Sequence, residues 1–148
     1  MLSTVLTSSD DVSARPIFEA MKSLGIRHYK LGSYPYDDPA EWEASIDRAR
    51  DTVAGLIELG REFGVKGGLH NHAGAAVGCA LWDSWKVITP LDADRIGFYF
   101  DPAHATIEGG VFGWKLNFQR IAPRLTMVAV KDFVWEKTDS GWRTRWVP

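Results

Sequence analysis

Val65-Lys66-Gly67-Gly68-Leu69-His70-Asn71-His72 is a short β-type run that stops in polar, chemistry-bearing residues. Three other runs have the same form. Ile26-Arg27-His28-Tyr29-Lys30-Leu31 leads into Gly32-Ser33-Tyr34, and Arg95-Ile96-Gly97-Phe98-Tyr99-Phe100 leads into Asp101-Pro102-Ala103-His104. Leu125-Thr126-Met127-Val128-Ala129-Val130 leads into Lys131-Asp132. Leu2 to Leu6 reads as one further short strand. Ahead of Val65 lies the clearest helix, about residues 39–63, where Trp42, Ile46, Ala49, Val53, Leu56, Ile57 and Phe63 recur at three- and four-residue steps on one face. Asp38 suits its cap, Pro39 its first turn and Glu41 a capping box, while Gly64 suits a left-handed stop. A shorter helix is expected at about 14–24, ending at Gly25, with helical stretches near 80–89 and 113–121, the last stopped by Pro123.

Strands alternating with helices every 30–40 residues call for a parallel sheet with right-handed crossovers. Such sheets bind ligands at the carboxyl ends of their strands, whether open or closed into a barrel. The strand ends are therefore where chemistry is expected, and three of the four central ones finish in imidazole, carboxylate or ammonium groups.

Composition narrows the classes. With 45% hydrophobic and 24% charged residues, the 148-residue chain has the makings of a single globular domain, residues 1–148, rather than a disordered one. A net charge of −2 with no basic block argues against nucleic acid as partner. The lone cysteine, Cys79, forms no internal disulfide, and no apolar stretch is long enough to cross a membrane, so a cytoplasmic location is expected. Glycine-rich dinucleotide loops, GxxxxGK[ST] and GxSxG are missing, which removes the support for nucleotide-binding and serine-hydrolase readings.

His70 and His72 are two apart and share one side of their strand, where paired imidazoles suit a borderline divalent metal or proton transfer. Unliganded histidines at a polar strand exit are the alternative. Asn71 between them is a candidate substrate contact. Asp101 ends an apolar run, where a carboxylate is costly unless paired or metal-bound, and His104 three residues on could share an ion or touch substrate; Asp101 could equally cap the next helix. Mn²⁺, Mg²⁺ or Zn²⁺ would accept this mixed shell. Lys131 can steady an oxyanion or pair with Asp132. Glu108, before Gly109-Gly110, supplies either a carboxylate near the site or a solvated turn. Of the seven tryptophans, Trp114, Trp135, Trp142 and Trp146 fall late in the chain, and Trp135 is a candidate wall for a sugar ring. His28 is away from any cluster.

On Leu24-Gly25-Ile26, Gly64 to Gly74, Phe100-Asp101-Pro102-Ala103-His104-Ala105 and Val128-Ala129-Val130-Lys131-Asp132-Phe133, the chain resembles the xylose-isomerase-like sugar phosphate isomerase/epimerase superfamily. The resemblance covers roughly residues 15–135. It implies an α/β fold of the (β/α)₈ TIM-barrel type, here incomplete with about five βα units where closure needs eight. One or two strands are expected to be missing at the front and one at the back. Open edges would then favour self-association.

The resemblance also implies a divalent metal held by Asp101 and by His70 in place of the family's glutamate, with His104 on the substrate. The family's histidine ligand falls on Ala129, and its last glutamate would lie beyond Pro148. The expected activity is a sugar or polyol isomerase or epimerase that moves a proton next to a carbonyl with metal assistance. In that reading His72, His104 and Lys131 are catalytic, and Asn71, Glu108, Asp132 and Trp135 bind substrate. The alternatives are an inosose-dehydratase-like lyase, or a catalytically incompetent barrel fragment that binds ligand weakly.

Overall fold

The computed structural model describes residues 1–147. Five strands, β1 (Leu2–Ser3), β2 (His28–Lys30), β3 (Lys66–His70), β4 (Ile96–Phe100) and β5 (Leu125–Val128), form one sheet. They lie in the order β1-β2-β3-β4-β5, every neighbouring pair parallel. The order never reverses, so each crossover steps the same way, as in a singly wound barrel and unlike an open sheet with a switch point. The sheet is curled and open, an incomplete (β/α)₈ barrel of about five βα units. Four helices cross between the strands: α1 (Ala14–Ser23), α2 (Trp42–Phe63), α3 (Leu81–Ile88) and α4 (Pro102–Ile121). None of the helices among the described residues is long and apolar enough to cross a membrane.

Period-two alternation divides the sheet into two faces. Tyr29, Leu69, Phe98 and Phe100 turn toward the helices, where Tyr29 meets Phe18 at a ring separation of 4.8 Å and Phe100 meets Phe118 at 4.8 Å. The other face carries Lys30 opposite Gly68, and His70 opposite Tyr99. A Cβ on Gly68 would meet the terminal methyl of Met127, which reaches over from β5 and would have to swing aside, and would crowd Tyr99. Strand alternation thus sends aromatic bulk into the core and leaves lysine and histidine on the concave side.

The long helix has the limits its sequence foretells. Asp38 accepts from the Ala40 N–H at 2.8 Å above a short 3₁₀ turn, Pro39–Glu41, that opens into α2. No capping bond from Glu41 forms, because that turn tightens ahead of the α-helix. Gly64 closes α2 at φ 69°, where a side chain would be strained.

Two regions depart from expectation. The helix foreseen at 113–121 is present, but a first helical stretch precedes it from Pro102, capped by Asp101 and with Pro102 fitting its first turn. The two meet at Gly110, whose φ of 62° and ψ of −164° are not helical. Glu108 therefore rides on a helix and not on a loop. After β5 the chain forms a hairpin that the sequence reading did not include, β6 (Asp132–Thr138) against β7 (Gly141–Val147), paired antiparallel from Asp132↔Val147 to Thr138↔Gly141.

Candidate active site

Asp101 sits where β4 gives way to α4, fully buried. Its two carboxylate oxygens do different work. Oδ1 accepts the His104 backbone N–H at 3.0 Å and so caps α4. Oδ2 faces the concave side, 3.2 Å from His70 Nε2 and 2.9 Å from Lys131 Nζ. Lys131 Nζ also stands 2.7 Å from His104 Nε2 and lies 4.5 Å from the centre of the Trp146 ring. Three successive strand ends therefore converge on one carboxylate oxygen.

The protonation pattern follows from these contacts. Burial pushes the Asp101 carboxyl up, but hydrogen bonds from His70, the His104 N–H and Lys131 outweigh it and hold the group well below the usual carboxylate range. Burial lowers His70, against the opposing pull of Asp101. Burial likewise lowers His104, to about 4. At neutral pH the cluster is a carboxylate, an ammonium and two neutral imidazoles. A neutral His104 accepts from Lys131 through Nε2, which leaves its buried Nδ1 with no partner.

The neighbours of this cluster differ in availability. His72 is exposed, its ring 3.8 Å from that of His104, and its Nδ1–H donates to Ala73 O at 2.8 Å. That bond leaves Nε2 with a free lone pair. Asn71 is buried, and its amide is used by Asp101: Nδ2 donates to Asp101 O at 2.9 Å and Oδ1 accepts Asp101 N–H at 2.7 Å. It ties the β3 end to the β4 end, with its oxygen and its nitrogen each engaged once by the Asp101 backbone. Asp132 accepts from the Phe133 N–H and, with Trp135, lines a cavity of about 660 Å³ beside Lys131, Pro102 and Thr106. The ion pair of Lys131 is with Asp101; Asp132 plays no part in it, since the chain turns at Lys131 to enter the hairpin. Glu108 faces a separate groove with Cys79, Trp82 and Asn117, because α4 carries it away from the strand ends.

Three further residues join the site; of these the sequence points only to Trp146, as one of four late tryptophans. Tyr99 stacks on His70 at 4.7 Å and 29°. Trp146 comes from β7 to cover Lys131 and His104. Lys30 lines a cavity with His70 and His72. Its signal was the alternation with Tyr29 on a strand whose last residues looked unremarkable.

The donor set does not fit a resident divalent ion as it stands. No group of three or more His, Cys, Asp or Glu side chains is arranged to hold one among the described residues. The Oδ2 lone pairs of Asp101 that would face the ion instead face the Lys131 ammonium and His70. Ala129, at the position where the resemblance places a histidine ligand, supplies no donor.

Comparison with known proteins agrees with the fold. The family described as xylose isomerase-like TIM barrel matches residues 13–148. A D-tagatose 3-epimerase-like protein is similar at a TM-score of 0.65 and 20% identity, over 80% of this chain and 46% of that one. A xylose isomerase-like TIM barrel protein from Mycobacterium smegmatis, in complex with magnesium, is similar at 0.64 and 15% identity, over 99% of this chain and 56% of that one. The probable 3-DHS dehydratase of petrobactin synthesis from Bacillus anthracis is similar at 0.63 and 15% identity, over 88% and 49%. The chain thus spans about half the length of the solved structures it matches. No curated protein matches it.

Proposed function

The chain belongs to the xylose isomerase-like TIM barrel family, and from that premise we propose that its strand-end cluster binds a sugar or polyol bearing a carbonyl and moves a proton beside that carbonyl. The observation that carries the reading is the meeting of His70 Nε2 and Lys131 Nζ on Asp101 Oδ2, at 3.2 and 2.9 Å, with His104 Nε2 2.7 Å from the same ammonium.

His72 takes the proton on Nε2, the tautomer being fixed by its bond to Ala73 O. Lys131 turns an N–H from His104 to the carbonyl oxygen and steadies the negative charge that develops there. Asp101 holds the Lys131 ammonium in place, and His70 buttresses Asp101. Trp146 and Trp135 supply apolar surface for the C–H side of the ring. The resulting enolate expels a hydroxyl from the adjacent carbon, which leaves as water with a proton returned from the site.

This dehydratase-like course suits a single ammonium. Isomerisation or epimerisation through an enediolate asks for two neighbouring oxygens to be held together, a task for which a divalent ion is suited and one ammonium is not. No step here is routed through a metal. A second reading, weak ligand binding without turnover, is favoured by Ala129, which offers no side-chain ligand where the resemblance places a histidine.

Incubation with a keto-inositol in D₂O, followed by ¹H NMR, tests the proposal. Exchange of the proton beside the carbonyl, with loss of water, is the expected result. Shift perturbations at His70 and His72 without exchange would establish the weak-binding reading. Neither exchange nor perturbation would overturn both.

A further inference from the structure

Lys30 is a charged side chain at the strand ends that this chemistry leaves unused. It stands on the concave face of the sheet, since Tyr29 beside it is buried against Phe18. Its partner across the ladder is Gly68, over which Met127 packs, and His70 follows on the same face beside the cavity. Lys30, Gly32, Ser33, His70, His72 and Val77 enclose a cavity of about 220 Å³. That is several times the roughly 30 Å³ a water molecule occupies in the liquid, and so room for a small polyatomic group.

The charge balance of this corner is uneven. Asp101 is already neutralised by Lys131 at 2.9 Å. Lys30 Nζ donates to its neighbour's carbonyl, Leu31 O, at 3.0 Å, and no carboxylate among the described residues offsets the burial that lowers its pKa. Among the residues that line this cavity Lys30 carries the one ammonium, and no carboxylate faces it. A half-buried ammonium is costly to leave unpaired, and an anion entering the cavity would remove that cost.

We propose that the Lys30 cavity is a subsite for an oxyanion group, phosphate or carboxylate, carried by the same sugar or polyol whose carbonyl reaches Lys131. The inference rests on the sugar reading above and narrows its substrate class to acidic sugars. Lys30 supplies the charge, and the Ser33 hydroxyl stands at the cavity wall as a further donor.

The test is an NMR titration of the imidazole resonances of His70 and His72 with inorganic phosphate, acetate, D-fructose and D-fructose 6-phosphate. Saturable shifts with phosphate are expected, together with at least tenfold tighter binding of fructose 6-phosphate than of fructose. Lys30→Met should abolish that advantage and Lys30→Arg should keep it. Acetate binding as tightly as phosphate would assign the subsite to carboxylates, and weaker acetate binding would assign it to phosphate. Fructose binding with no phosphate advantage in the unmodified protein overturns the subsite and leaves the sugar reading intact. Phosphate binding through Lys30 without any sugar binding keeps the subsite and overturns the sugar reading. Should Lys30→Met fail to fold, the comparison of fructose with its phosphate in the unmodified protein and in Lys30→Arg still decides, because equal affinities there overturn the subsite.

Discussion

The side-chain amide of Asn71 and the backbone of Asp101 form a reciprocal pair, Nδ2 donating to Asp101 O at 2.9 Å and Oδ1 accepting Asp101 N–H at 2.7 Å. Both residues are buried, so the pair shields two main-chain polar groups that water cannot reach. Asn71→Ala leaves that N–H and C=O unsatisfied and should lower the unfolding free energy by about 2 kcal/mol, read by urea denaturation. Asn71→Asp should cost more, since it keeps one acceptor, loses the donor and buries a charge beside Asp101. A loss below about 0.5 kcal/mol in both variants would show that the pair is dispensable.

The Asp101–Lys131 contact predicts strong non-additivity. Asp101 is fully buried, and its carboxylate depends on Lys131 and His70 for compensation. Removing the ammonium alone, as in Lys131→Met, should destabilise by roughly 3 kcal/mol because it strands a buried charge. The double variant Asp101→Asn with Lys131→Met should recover part of that loss. A coupling energy near zero in the double-mutant cycle would mean that the pair is broken in solution.

Much of this architecture is legible in the sequence. The apolar steps of α2 and its stop at Gly64 are local features, and local features survive folding. The strand ends were found by position, and His70, Asp101, His104 and Lys131 do come within contact of one another. Partner choice was not legible. Whether Lys131 pairs with Asp132 or Asp101 depends on how the chain leaves β5, which is a tertiary outcome. Glu108 reads as loop from Gly109-Gly110, and the chain does break at Gly110, but the cap and proline at Asp101-Pro102 start a helix ahead of that break and carry Glu108 on it. The β6–β7 hairpin is not legible, because it buries neither face deeply and its alternation lacks a core-facing stripe.

Burial of two imidazoles predicts acid sensitivity. In the folded chain His104 titrates at about 4 and His70 is also lowered, while the unfolded chain takes up these protons near 6.5. The unfolded state binds more protons in between, so stability is present above pH 6.5 and is lost as pH falls through 4. From pH 7 to pH 5, His104 alone should account for a loss on the order of 1–2 kcal/mol. Asp101, lowered as well, adds to the loss only below the ordinary carboxylate range. Urea midpoints at pH 7 and pH 5 should separate in the unmodified protein and draw closer in His104→Asn. An equal separation in both would place the acid sensitivity elsewhere.

The two outer edges of the sheet predict association. Among the described residues β1 and β5 each pair on one side only, and Val128 and Val130 at the β5 end are exposed. An unpaired parallel edge with apolar side chains is a template for another strand. We expect size-exclusion elution to shift to larger species as concentration rises. Val128→Lys should oppose the shift by placing a charge on the edge, and a monomer at all concentrations would contradict the expectation.

Metal loading separates the two ways of neutralising Asp101. If Lys131 holds the position an ion would need, then dialysis against Mn²⁺, Mg²⁺ or Zn²⁺ should leave well under one equivalent bound, measured by elemental analysis after desalting. Lys131→Ala frees the Oδ2 lone pairs and brings Asp101 and His70 to a shared vacancy, so this variant should retain more metal than the unmodified protein. Two protein ligands make a weak site at best, because stable ones use three or four. One full equivalent in the unmodified protein, lost in Asp101→Ala, would instead show that Lys131 swings away and that the carboxylate belongs to the ion.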